Sequence, residues 1–202
     1  GGEISFQSGH ELLHNSNFEE GSSMVFPPWG KYSHNQANMN SVYWAEVGVL
    51  NGKLTWVHKG KNGFGAYNWS YACVVYQEID VSDQRYITLS ADGVSEIMPY
   101  VASGGGGNGL AGTATGALRV GISKNKPVDV IEHTRSGFTA SYFTTPPNPN
   151  VDPAAYDLVT DDGDPSYLEW TGAESASKEL DFINVVGLNT VWVWAISWVD
   201  FD

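Results

Sequence analysis

The sequence predicts an all-β protein, a sandwich of two antiparallel sheets with long loops. Three observations carry that prediction. Short runs rich in β-branched and aromatic residues recur along the chain, and helical periodicity is hard to find. Turn residues separate the runs: there are 23 glycines in 202 residues, and the prolines gather in loops.

The elements follow in order. "VGVLNGKLTWVHKG" (47–60) holds Asn51-Gly52 between apolar residues, the strongest short hairpin signal. "CVVYQEIDV" (73–81) and "RYITLSADGV" (85–94) read as strands joined by the turn "SDQ". "TGALRVGISK" (115–124) puts Leu118, Val120 and Ile122 on one face. "PVDVIEHT" (127–134), "FTASYFTT" (138–145), "SYLEWTG" (166–172) and "ELDFINVV" (179–186) are further strands. The chain closes on "VWVWAISWVDFD" (191–202). There Trp192, Trp194, Ile196, Trp198 and Asp200 share one face, and Val193, Ala195, Ser197, Val199 and Phe201 share the other. The simpler assignment packs the second set inward. The tryptophans then face outward and need a cover, which could be the 144–166 loop, a sugar chain or another subunit; protein is the favoured cover. The opposite parity, with Trp192 and Trp194 in the core, stays open.

Two segments read as long loops, the glycine-rich 102–116 and the proline- and aspartate-rich 144–166. No internal repeat divides the chain, so residues 1–202 are expected to form a single domain.

Composition restricts the partners. The formal charge is −13. Nucleic acid binding needs Lys and Arg against phosphates, so that class is excluded; a neutral ligand, a divalent cation or a basic protein fits better. Eight Trp and ten Tyr exceed the needs of a core this size, and such rings suit sugar faces and interfaces. No stretch reaches the ~20 apolar residues of a membrane span. The lone Cys73, in an apolar run, can form no intramolecular disulfide and reads as a small buried hydrophobe.

Catalytic patterns are missing from the sequence. The glycine-rich loop lacks a Gly-Lys-Ser/Thr ending, the five histidines form no His-x-x-x-His pair, and there is no Gly-x-Ser-x-Gly elbow. Carboxylate pairs for glycoside hydrolysis are set by spacing in space, which sequence does not display. The expectation is a protein that is not an enzyme, or an accessory domain of a polysaccharide-degrading one.

Three segments carry a resemblance. "LLHNSNFEEG…FPPWGKY" supplies Asn15, Phe18, Glu19, Glu20, Gly21 and Trp29; "VVYQEIDVSDQRYITLSADG" supplies Gln77, Ile79, Tyr86, Leu89 and Ser90; and "WVDFD" supplies Asp200. In this order they resemble the opening, middle and last strands of jelly-roll, galactose-binding-like carbohydrate-binding modules of the family 4/9/22 type. The chain departs from that pattern in its extra loop length and in "SDQ" where the family's turn usually carries Gly. The resemblance implies a jelly-roll β-sandwich and a structural calcium held by Glu19 and Asp200 with backbone carbonyls. The aspartates of "DLVTDDGDPS" read as a turn in preference to a second calcium loop.

The expected function is therefore non-catalytic binding of a polysaccharide or glycan, outside the cell or on a cell or virion surface. Trp44, Trp56, Tyr67, Trp69 and Tyr71 are the candidates for stacking on sugars, whereas Trp29 reads as a packing residue of the opening motif. The alternative is a structural or adhesive subunit of an extracellular assembly, such as a virion decoration, surface layer or filament coat, that self-associates or meets a partner subunit through its aromatic surface.

Overall fold

A computed structural model describes residues 2–6, 12–34, 44–59, 70–96, 114–126, 130–135, 138–143 and 158–201. At residues 32–34, 44–46, 57–59, 70–72, 114–116, 130–135, 138–143 and 198–201 it describes the backbone alone. The strands are β1 (Gly2–Ser5), β2 (Gly30–His34), β3 (Trp44–Leu50), β4 (Lys53–Lys59), β5 (Ser70–Asp80), β6 (Tyr86–Glu96), β7 (Ala114–Ser123), β8 (Val130–Arg135), β9 (Phe138–Phe143), β10 (Tyr167–Trp170), β11 (Ala173–Asn184) and β12 (Thr190–Phe201). There is no helix among the described residues. Two antiparallel sheets of five strands, β11-β6-β1-β4-β3 and β10-β7-β12-β5-β2, form a jelly-roll β-sandwich, and β8 and β9 pair as a separate hairpin.

Alternation builds the core. Ile4, Leu54, Leu89 and Ala91 of the first sheet meet Val75, Leu118, Val120, Val191, Val193 and Ala195 of the second in one buried cluster. The indole of Trp56 crosses between the sheets and donates to the Cys73 carbonyl at 2.9 Å. Trp170 crosses the other way. It lies over Gly93, where an added Cβ would sit 2.3 Å from the ring, and its indole donates to the Ala176 carbonyl at 2.9 Å. The Asn51-Gly52 turn forms as its sequence demands: both residues take positive φ, 52° and 74°, and Leu50 pairs with Lys53.

The terminal strand follows the simpler parity. Val191, Val193 and Ala195 join the main core. Trp194 and Ile196 are on the outer face, yet both are fully buried, in a second cluster with Val74, Tyr76 and Tyr167. Gly121 lies directly beneath the Trp194 ring, which lets the indole lie close to the sheet. Trp192 is half-buried against Tyr76, and the Lys126 ammonium stands 4.9 Å from the Tyr76 ring centre and 5.6 Å from that of Trp192. This face is an apolar layer that the chain itself covers at Trp194 and Ile196.

The opening motif is a structural knot. Asn15 adopts φ 51°, a conformation Asn tolerates better than most residues. Its amide donates to the Glu20 and Pro27 carbonyls at 2.9 and 2.8 Å and accepts from the Glu20 N–H at 3.0 Å, while its carbonyl accepts the Trp29 indole at 3.0 Å. Around it Phe6, Phe18, Phe26 and Trp29 stack and tilt against one another. Trp29 is the packing residue its motif implies, only 7% exposed.

Candidate functional site

The two outer faces differ in character. On the first sheet, Ile4, Leu54 and Gly93 point into the core, so their neighbours Glu3, Ser5, Lys53, Asp92 and Val94 point to solvent. Strand register assembles these outward residues into rows. Thr55, Glu3, Val94 and Ser175 stand side by side across β4, β1, β6 and β11. One step along, Ser5, Asp92 and Ser177 form the next row, with Lys53 beside Ser5 one residue before the Leu54–Ile4 pair.

The rows enclose a groove of about 400 Å³ lined by Glu3, Ser5, Lys53, Asp92, Val94, Ser175 and Ser177. Its volume falls within the range of small-ligand sites. The lining is amphipathic: three serine hydroxyls, two carboxylates and one ammonium surround the apolar Val94 and the bare backbone of Gly93. The Ser177 hydroxyl donates to the Asp92 carboxylate, which holds that acceptor in place across β6 and β11. From the far side, the Val49 N–H donates to the Ser23 carbonyl at 2.7 Å, which fixes the opening loop against β3.

The sequence candidates fall elsewhere. Trp56 is 2% exposed and bonded to Cys73, so it is a core residue and offers no face to a ligand. Its alternation, with Leu54 on the same side, is the reason: outward positions on β4 belong to Lys53 and Thr55. Trp44 pairs with Lys59 and Tyr71 with Val199; for both the backbone alone is described. Tyr67 and Trp69 lie outside the described residues.

Glu19 and Asp200 are not brought together. Glu19 is exposed beside Asn17, whose side chain accepts its N–H at 3.2 Å. The Asn17 carbonyl lies 3.7 Å from where a Cβ on Gly52 would be, at the tip of the β3–β4 hairpin. Asp200 pairs with Ser70 and Thr115 at the other end of the sandwich. The strand run from Gly52 past Trp56, which bonds Cys73, and on to Ser70 spans roughly 20 Å at 3.3 Å per residue. As ligands of one calcium the two do not fit, since such an ion takes oxygens at about 2.3–2.6 Å. Among the described residues no cluster of three His, Cys, Asp or Glu forms a metal site. The 158–166 segment is a turn: Gly163 takes φ 84°, its N–H donates to the Thr160 carbonyl at 2.9 Å, and the Thr160 hydroxyl accepts from the Asp164 N–H at 3.1 Å.

Fold and groove together define an all-β sandwich with an open polar site on one sheet. Aligned over 96% of this chain and 95% of the other, it is similar to a solved carbohydrate-binding module, TmCBM61 in complex with β-1,4-galactotriose, at 10% identity and a TM-score of 0.37. No protein-family model matches the chain, and no curated protein matches it. No helix is long and apolar enough to cross a membrane among the described residues.

Proposed function

We propose that this domain binds a polysaccharide, without cleaving it, in the groove on the outer face of β4, β1, β6 and β11. The carrying observation is the groove's lining, in which hydroxyls, carboxylates and the Lys53 ammonium stand beside the apolar Val94. A sugar ring presents the complement: hydroxyls at its rim, each a donor and an acceptor, and C–H groups on its faces. The order of the opening, middle and closing motifs, resembling carbohydrate-binding modules, supports the same reading.

Glu3 and Asp92 line this groove from neighbouring strands at diagonal positions, their backbones about 7–8 Å apart by strand geometry. Two carboxylates in one groove can hydrolyse a glycoside when their carboxyl groups are suitably spaced, so binding and cleavage are separated by one assay. A panel of soluble polysaccharides is run against the protein by affinity electrophoresis, and each retarding polymer is then incubated with the protein and assayed for new reducing ends. Retardation that is lost in Asp92→Ala, with no reducing ends released, is the expected result. Absence of retardation by every polymer refutes the proposal, and release of reducing ends that stops in Glu3→Gln makes the domain a hydrolase.

A further inference from the structure

The outer face of β6 and β11 continues beyond the groove. Outward from Asp92 come Ser90, Thr88 and Tyr86 on β6, and Glu179 and Asp181 on β11. At the end of this line stand Tyr86 and Phe182, 40% and 62% exposed, with ring centres 6.2 Å apart at 75°.

Phe182 owes its position to a β-bulge. Leu180 pairs with Leu89 and Ile183 with Ile87, so Asp181 and Phe182 both stand against Thr88 alone. Phe182 adopts φ 57°, a left-handed conformation that costs a non-glycine residue about 1–3 kcal/mol. Yet the segment is firmly held. The Phe182 carbonyl accepts the Asp161 N–H at 3.1 Å, the Asn184 N–H donates to the Val159 carbonyl at 3.1 Å, and the Thr88 hydroxyl donates to Asp181 at 3.0 Å. A strained backbone thus keeps a large apolar ring exposed, edge-on to Tyr86.

We infer that Tyr86 and Phe182 form an aromatic subsite for the far end of the same ligand that occupies the groove, and that this ligand is an extended, neutral polysaccharide running along β6 and β11. The inference rests on the groove being a glycan site. Six residues of strand separate Tyr86 from Asp92, about 20 Å, a span of several sugar rings. Every step between them carries a hydroxyl or a carboxylate, the pattern suited to a chain of hydroxylated rings and unlike the apolar centre of a protein interface. The ring pair supplies an apolar face at the end of that track. Asp92, Glu179 and Asp181 along it, with Glu3 beside it, repel a uronate or sulfated polymer.

Affinity electrophoresis of the full chain through galactan, β-glucan and galactomannan, with polygalacturonate as the anionic counterpart, identifies the retarding polymer. Calorimetric titration then compares the trisaccharide and hexasaccharide of that polymer. Phe182→Asn removes the ring while keeping a residue that tolerates the left-handed conformation, and Tyr86→Thr removes the second ring independently. Each is expected to weaken the hexasaccharide about tenfold and leave the trisaccharide unchanged, with Phe182→Asn melting no lower than the parent. Asp92→Ala is expected to weaken both ligands. Parental hexasaccharide affinity in both ring variants overturns the subsite while the groove stands. Retardation by polygalacturonate overturns the neutral ligand class, and retardation by no polymer overturns subsite and groove together.

Discussion

Asn15 and Gly93 are two residues whose chemistry the fold uses in full. Asn15 uses both ends of its amide at once, and a Glu, Gln or Ala there leaves the Glu20 and Pro27 groups without these partners. Asn15→Ala is expected to destabilise the protein by about 1–3 kcal/mol, read as a lower urea midpoint at unchanged slope. Gly93 is small because Trp170, fully buried and tied by its indole to Ala176, occupies the space a side chain would need. Gly93→Ala forces that ring against a core that cannot yield, at a cost of about 1–3 kcal/mol in the same measurement. Asn15 is legible in the sequence as part of the opening motif, whereas Gly93 is only a glycine in the 85–94 strand run. A glycine inside a strand pattern says that something approaches closely; it does not say that the something is a tryptophan 77 positions later.

Among the strands, those with long β-branched or aromatic alternation were legible, as β5, β6, β7 and β12 show. β1 and β2 were not, because four and five residues with glycine and polar side chains carry too little pattern. β1 exists because β4 and β6 supply hydrogen bonds on both its edges. The groove is hidden in the sequence for the same reason: Glu3, Lys53, Asp92 and Ser177 become neighbours only through register, and none is aromatic. β11 did offer one signal, since Ser175, Ser177, Glu179 and Asp181 alternate strictly before the bulge. At its start, Glu174 anchors the β10–β11 turn, with the Lys178 ammonium 2.7 Å away and the Thr171 N–H donating at 3.0 Å. The Lys178 hydrogen bond, followed by that of Thr171, holds the Glu174 carboxyl below its ordinary range. A group lowered on folding stabilises above its unfolded pKa, and the contribution is lost as pH falls through the lower folded value. Glu174→Gln is therefore expected to be less stable than the parent at pH 7, with the two curves converging as pH drops below the ordinary glutamate range. Urea midpoints across that range measure it, and a gap that stays constant to low pH counts against the ion pair.

Among the described residues, the outer face of the second sheet buries Trp194 and Ile196, whereas that of the first sheet is open and polar. Neither of those two buried residues offers a free platform, and the proposed ligand lies on the first sheet. The formal charge of −13 then decides which ligands approach. A polyanion meets long-range repulsion that salt can only screen, whereas a neutral polysaccharide meets no Coulomb term at any distance. Its affinity should come from short-range hydrogen bonds and ring contacts, which salt barely touches. Raising ionic strength from about 0.05 to 0.5 M shortens the screening length severalfold. The dissociation constant for the neutral polymer is expected to stay within about twofold over that range, since a difference below roughly 0.4 kcal/mol is all that residual charge effects would contribute. A polycation such as chitosan should instead bind at low salt through the charge of the whole surface and be released at high salt. If the neutral polymer is released by salt in the same way, its binding is electrostatic and does not reside in the groove.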